Sequence, residues 1–149
     1  MSVTPVRCQL AHDSESLLDM GCGTGILAIV AEKLGALPIT AIDNDEWAFH
    51  NTKENIVANQ CENIKAMLGD AHLLEDKRYQ VILANINLNI LINDIPKYVE
   101  CLDPNGILVM SGILTDDVKA LSNKAKELGL TVKSIETKDN WALISTQKS

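Results

Sequence analysis

Leu17-Leu18-Asp19-Met20-Gly21-Cys22-Gly23-Thr24-Gly25-Ile26-Leu27 is the stretch that decides how this chain is read. An apolar run broken only by Asp19 leads into three alternating glycines. The run predicts a buried strand, and the glycines predict a turn that a side chain would block. Apolar residues then recur at Leu27, Ile29, Val30 and Leu34, which predicts a helix from about Gly25 with Gly35 as its stop. The start of that helix offers free N–H groups. Strand, glycine turn and helix together make a nucleotide-type site at the carboxyl end of a parallel strand.

Outward from this stretch, strand and helix keep alternating. Strands are expected at residues 38–42, 64–68, 79–84 and 107–110. Helices are expected over residues 46–59, 89–102 and 116–128, with a short helical turn at 71–74. Pro104-Asn105-Gly106 reads as a turn. Residues 131–136 and 141–146 close the chain as a hairpin about Lys138-Asp139-Asn140. The expected fold class is α/β, a Rossmann-like, doubly wound, mainly parallel sheet with helices on both faces. Residues 1–15 show no period and read as an irregular segment, and residues 16–149 read as one domain.

The bulk composition narrows the function classes. A length of 149 residues fits one domain, at about 100–200 residues each. A net charge of −7 argues against non-specific nucleic-acid binding. Cys8, Cys22, Cys61 and Cys101 form no C-x-x-C pair, and His12, His50 and His72 are scattered, so no zinc spacing appears and no metal is expected. Free thiols point to a reducing, cytoplasmic setting. No apolar run approaches the ~20 residues of a membrane span, and no signal-peptide core opens the chain.

The glycine spacing selects the ligand. A dinucleotide fingerprint is G-x-G-x-x-G, whereas Gly21-x-Gly23-x-Gly25 is one residue shorter. Asp19 lies two residues ahead of the first glycine. Its carboxylate would repel a pyrophosphate and would suit an amino group or cationic centre. That favours S-adenosylmethionine (SAM) over NAD. Asp43 ends the second strand, where a doubly wound sheet places ribose hydroxyls. It could instead cap the next helix, although Asn44 and Asp45 can do so in its place. Trp47 is a candidate to pack near an adenine or to fill the core. Asp70 after strand three could accept the adenine amine, with the Ala71 N–H reaching a ring nitrogen; a plain surface turn is the alternative. Asn85 ends strand four, at the expected reversal of strand order, and its amide oxygen could accept from a substrate amine. Methyl transfer from a sulfonium needs an amine with its lone pair aimed in line more than it needs a strong acid or base. Asn85 could otherwise cap the next helix, and Asn87 is a weaker candidate for the same role toward the amine. Gly112 could allow close approach at the rim, and no histidine is placed to activate Ser111.

These residues resemble those of class I SAM-dependent methyltransferases, and more narrowly the PrmA-type methyltransferases of ribosomal protein eleven of the large subunit. The resemblance is carried by residues 18–29, Ala41-Ile42-Asp43-Asn44-Asp45, Glu54-Asn55 with Asn59, Ala84-Asn85-Ile86 with Leu91, Leu102, Pro104, Gly106, Ser111-Gly112-Ile113-Leu114 and Trp141. It implies a seven-stranded sheet with an antiparallel last strand. It also implies methylation of lysine side chains or an α-amine on a ribosomal-protein partner. The cofactor-binding candidates are then Asp19, Gly21, Cys22, Gly23, Thr24, Gly25, Asp43, Asn44, Asp70, Ala71 and Asn85, with Asn85 also the catalytic candidate. The family's separate substrate-gripping domain and its glycine- and threonine-rich closing segment have no match in residues 1–14, although His12 lies nearby. An isolated catalytic core is therefore expected. A SAM-binding remnant without transferase activity, or a small-molecule methyltransferase, is the alternative.

Overall fold

The structure is a computed structural model that describes residues 16–149. It divides the chain into two compact units, Met1–Leu73 and Leu74–Ser149. The irregular segment expected at 1–15, with Cys8 and His12, lies outside the described residues.

In the first unit, β1 (Leu17–Met20) is buried along its whole length, as its apolar run requires. Leu17 and Leu18 are wholly inaccessible, and burying each contributes about 1.5–3 kcal/mol. The glycine turn leads into α1 (Ile26–Lys33). Next come β2 (Ile39–Asp43), α2 (Glu46–Ala58) and β3 (Ile64–Leu68). A 3-10 turn at Ala71–Leu74 stands where the short helical turn was expected. β2 lies between β1 and β3 and runs parallel to both, with Asp19 opposite Ala41 and Asp43 opposite Leu68.

The second unit holds β4 (Tyr79–Asn85), α3 (Leu88–Cys101), β5 (Leu102–Leu114), α4 (Val118–Glu127), β6 (Leu130–Lys138) and β7 (Trp141–Lys148). β4 and β5 are parallel. β7 is antiparallel to both β5 and β6. The seven strands make a mixed, Rossmann-like sheet with an antiparallel last strand, as expected. The hairpin turn is Asp139-Asn140, both with positive φ (52° and 70°), the backbone that joins two strands through two residues.

The main correction is at β5. The expected strand was residues 107–110, and the observed one runs Leu102–Leu114. Two irregularities interrupt it. The turn expected at Pro104-Asn105-Gly106 falls where the pairing with β4 passes from Leu102 opposite Tyr79 to Ile107 opposite Val81, and Asn105 there has φ +66°. The strand end expected at Ser111-Gly112 is instead a bulge, where the pairing with β7 slips between Met110 and Ile113.

Candidate functional site: a glycine loop over a buried carboxyl

The turn after β1 is held from three sides within the first unit. From β1's neighbour, the Ile42 carbonyl accepts from both Gly21 N–H (2.8 Å) and Cys22 N–H (3.0 Å). From the end of β2, Asp43 Oδ2 accepts from Gly23 N–H at 2.9 Å. From α2, the Thr52 hydroxyl donates to the Gly23 carbonyl (2.9 Å) and Asn55 Nδ2 donates to the Thr24 carbonyl (2.8 Å). Gly21, Gly23 and Gly25 all have positive φ, between 57° and 82°. At Gly25 the need is steric as well, because a Cβ there would lie 2.8 Å from Thr52 Cγ2. At Gly23 a Cβ would meet nothing within 4 Å, so that stretch of main chain faces open space.

Thr52 is the residue that sequence reasoning missed. It is fully buried on a helix that otherwise reads as polar surface. Its Oγ1 also lies 3.4 Å from Cys22 Sγ. Burial pushes the Cys22 thiol up to about 11, with Thr52 opposing and the Asp19 and Asp43 carboxyls adding to the rise. Cys22 is thus a neutral packing group, and Thr24 presents its carbonyl to Asn55.

Asp19 sits beneath this loop at zero exposure. Among the described residues, neither of its oxygens has a partner in hydrogen-bonding geometry. Burial lifts its carboxyl from 3.8 to about 7; the Ala28 amide opposes this and the Asp43 carboxylate adds to it. A buried acid that no cation among the described residues faces is a candidate site for a cationic donor.

Asp43 does not cap α2. Asp45 does, accepting from Trp47 N–H at 3.1 Å. Asp43 instead ties two turns together, with Oδ1 accepting from Asp45 N–H (3.0 Å) and Oδ2 from Gly23. Each oxygen keeps a second lone pair for a hydroxyl donor. Asn44 is exposed beside it. Trp47 is 78% exposed, which removes its reading as a core residue.

Asp70 is next in the row, since Gly69 N–H donates to the Asp43 carbonyl at 2.9 Å. Its Oδ1 accepts from His72 N–H (2.9 Å) and meets His72 Nδ1 (2.8 Å), so it organises the turn in which Ala71 and Leu74 are buried and His72 is exposed. The structure thus brings Asp19, the loop, Asp43 and Asp70 to the carboxyl ends of β1, β2 and β3.

Asn85 belongs to the second unit. It closes β4, exposed, opposite Ser111 of β5. Asn87, not Asn85, caps α3 by accepting from Ile90 N–H at 3.1 Å, which leaves Asn85 outside the helix. Gly112 has φ +80°, and a Cβ there would lie 2.5 Å from Asn85 Oδ1 and 3.3 Å from Ile86 N. The close approach that Gly112 permits is that of the Asn85 amide itself.

A parallel β-α-β run with a glycine loop over a buried acid, and a second acid ending the next strand, defines the Rossmann-like methyltransferase class. The chain matches the model of the family "Ribosomal protein L11 methyltransferase (PrmA)" over residues 6–149, and it belongs to that family. Among curated relatives, the ribosomal protein L11 methyltransferase of Phocaeicola vulgatus is 47% identical over 131 residues, covering 87% of this chain and 47% of that protein. The one from Staphylococcus haemolyticus is 34% identical over 134 residues, covering 89% and 43%. The chain therefore spans about half the length of these relatives. Among solved structures, the ribosomal protein L11 methylase of Lactobacillus delbrueckii subsp. bulgaricus has the same fold, with a TM-score of 0.89 at 24% identity over 99% of this chain and 77% of that one. TYW2 of M. jannaschii in complex with AdoMet aligns with a TM-score of 0.70 at 20% identity, over 97% and 74%. No helix among the described residues is long and apolar enough to cross a membrane.

Proposed function

We propose that this chain is a SAM-dependent methyltransferase core that transfers methyl groups to amino groups, on a lysine side chain or an α-amine, of a ribosomal protein in the cytoplasm. The observation that carries the proposal is Asp19, a carboxyl buried under a glycine loop, whose oxygens have no side-chain partner among the described residues. SAM fits that chemistry, because its α-amino group is a cationic donor. Bound there, SAM supplies an electrophilic methyl group on a sulfonium.

The chain's own residues do the rest. Asp19 binds the amino group. Gly21, Cys22, Gly23, Thr24 and Gly25 present main-chain amides on a loop that Asp43, Thr52 and Asn55 hold in shape. Asp43, beside Asn44, accepts from ribose hydroxyls. Asp70 and the Ala71 amide address the adenine. Asn85 accepts a hydrogen bond from the acceptor amine through its amide oxygen, which turns the lone pair toward the methyl group. Such positioning can supply about 7–11 kcal/mol of the barrier to a displacement between two bound groups.

Isothermal titration with S-adenosylhomocysteine tests the pocket independently of transfer. Saturable one-site binding is the expected result. No heat and no change in melting temperature at saturating ligand would remove the proposal.

A further inference from the structure

Among the described residues, Asp19 is the only acidic side chain that is buried, and nothing pairs with it. The groups that face it come from four elements. The loop presents the Cys22 thiol, which is neutral. α1 presents the Ala28 amide, and β2 presents the Asp43 carboxylate. α2 presents the uncharged Thr52 hydroxyl, through Cys22. No cationic side chain of the described residues reaches it, and Asp43 adds a like charge nearby. A carboxylate here loses its water and faces one main-chain amide, that of Ala28, but no cation, so the neutral acid is the favoured form until a cation arrives.

We propose that cofactor binding at this site is proton-coupled: Asp19 holds a proton in the cofactor-free protein and releases it to solvent when the ligand's ammonium group docks. The inference rests on the cofactor reading above. The balance is simple. A carboxylic acid and an ammonium become a carboxylate–ammonium pair, the ligand keeps its protons, and one proton leaves to water. Binding therefore strengthens about tenfold per pH unit below the free carboxyl's midpoint and levels off above it. SAM and S-adenosylhomocysteine both present an α-ammonium group at neutral pH, so substrate and product share the proton release from Asp19.

The test is calorimetric titration of the full chain near pH 6, in two buffers that differ in ionisation enthalpy. S-adenosylhomocysteine should release nearly one proton. 5′-Methylthioadenosine, which lacks the amino-acid end, should bind and release none. Binding of S-adenosylhomocysteine without proton release overturns the proposal, as does equal release by both ligands. Failure of both to bind overturns the cofactor reading and this inference with it. A second measurement needs no ligand. Carboxyl carbon NMR of the cofactor-free protein should show one aspartate titrating near neutrality, moving well down on saturation with S-adenosylhomocysteine and missing from Asp19→Asn. If every aspartate titrates in the ordinary range, the proposal is wrong.

Discussion

Replacing Asp19 with asparagine should stabilise the cofactor-free protein, and increasingly so as pH rises. The folded-state carboxyl titrates at about 7, above its ordinary 3.8. Between those values the folded chain holds a proton that the unfolded chain has released. Stability is therefore lost as pH climbs through that interval, and stays low once both states are ionised. The rise from 3.8 to about 7 corresponds to roughly 4 kcal/mol, of which about 2–3 kcal/mol appears between pH 5 and pH 8. An asparagine amide in the same place is also unsatisfied, at a cost of about 1–3 kcal/mol, but that cost does not change with pH. The quantity to read is thus the change in the mutational difference between the two pH values. Urea denaturation of both proteins, at about pH 5 and about pH 8 without ligand, measures it. The advantage of asparagine should grow by about 2–3 kcal/mol toward pH 8. The same difference at both values would mean that Asp19 is not a buried, unpaired acid, and the reasoning about the site would fail with it.

Three further substitutions separate the roles of the other residues. Asp43→Ala should weaken SAM binding by about 1–3 kcal/mol, through lost ribose contacts and a loosened Gly23 turn, as read by calorimetry; an unchanged dissociation constant removes its ribose role. Asn85→Ala should leave SAM affinity unaltered and lower turnover on a protein substrate; equal loss in both would make Asn85 a structural residue. Gly112→Ala should mimic that kinetic defect, since its Cβ would displace the Asn85 amide, and should cost about 1–3 kcal/mol of stability for its left-handed backbone. Unchanged turnover in Gly112→Ala would show that the Asn85 position does not matter.

The parts of the fold that were legible in the sequence are those where local chemistry and global architecture agree. An apolar strand entering closely spaced glycines leaves few alternatives to a β-turn-α unit, and Asp139-Asn140 is a hairpin turn by its own backbone preferences. β5 was read short because the turn at Pro104-Asn105-Gly106 and the glycine of Ser111-Gly112 look like strand ends, whereas the strand pairs on both sides of each, the second as a bulge. Asp19 and Asp43 stood out as carboxylates at strand ends; the structure buries the first and ties the second to the Gly23 and Asp45 amides. Thr52 was not, because its partners Cys22, Gly23 and Gly25 lie some thirty residues away in the chain. A buried threonine inside a polar helix has no local signature; only the packed loop reveals it. Asn55 was quoted as part of the family pattern, but its role in holding the Thr24 carbonyl needed coordinates. On paper Asn85 was the possible helix cap, and the hydrogen bond that the Ile90 N–H donates to Asn87 shows that Asn87 is the cap instead.

Incubating the chain with SAM and purified ribosomal protein L11, then following the intact mass of L11, shows whether it is the catalytic core of an amine methyltransferase. Increments of one methyl group on L11 are expected, strongly reduced in Asn85→Ala and not restored by more SAM. An unmodified L11 in the presence of chain that has bound SAM would contradict that assignment.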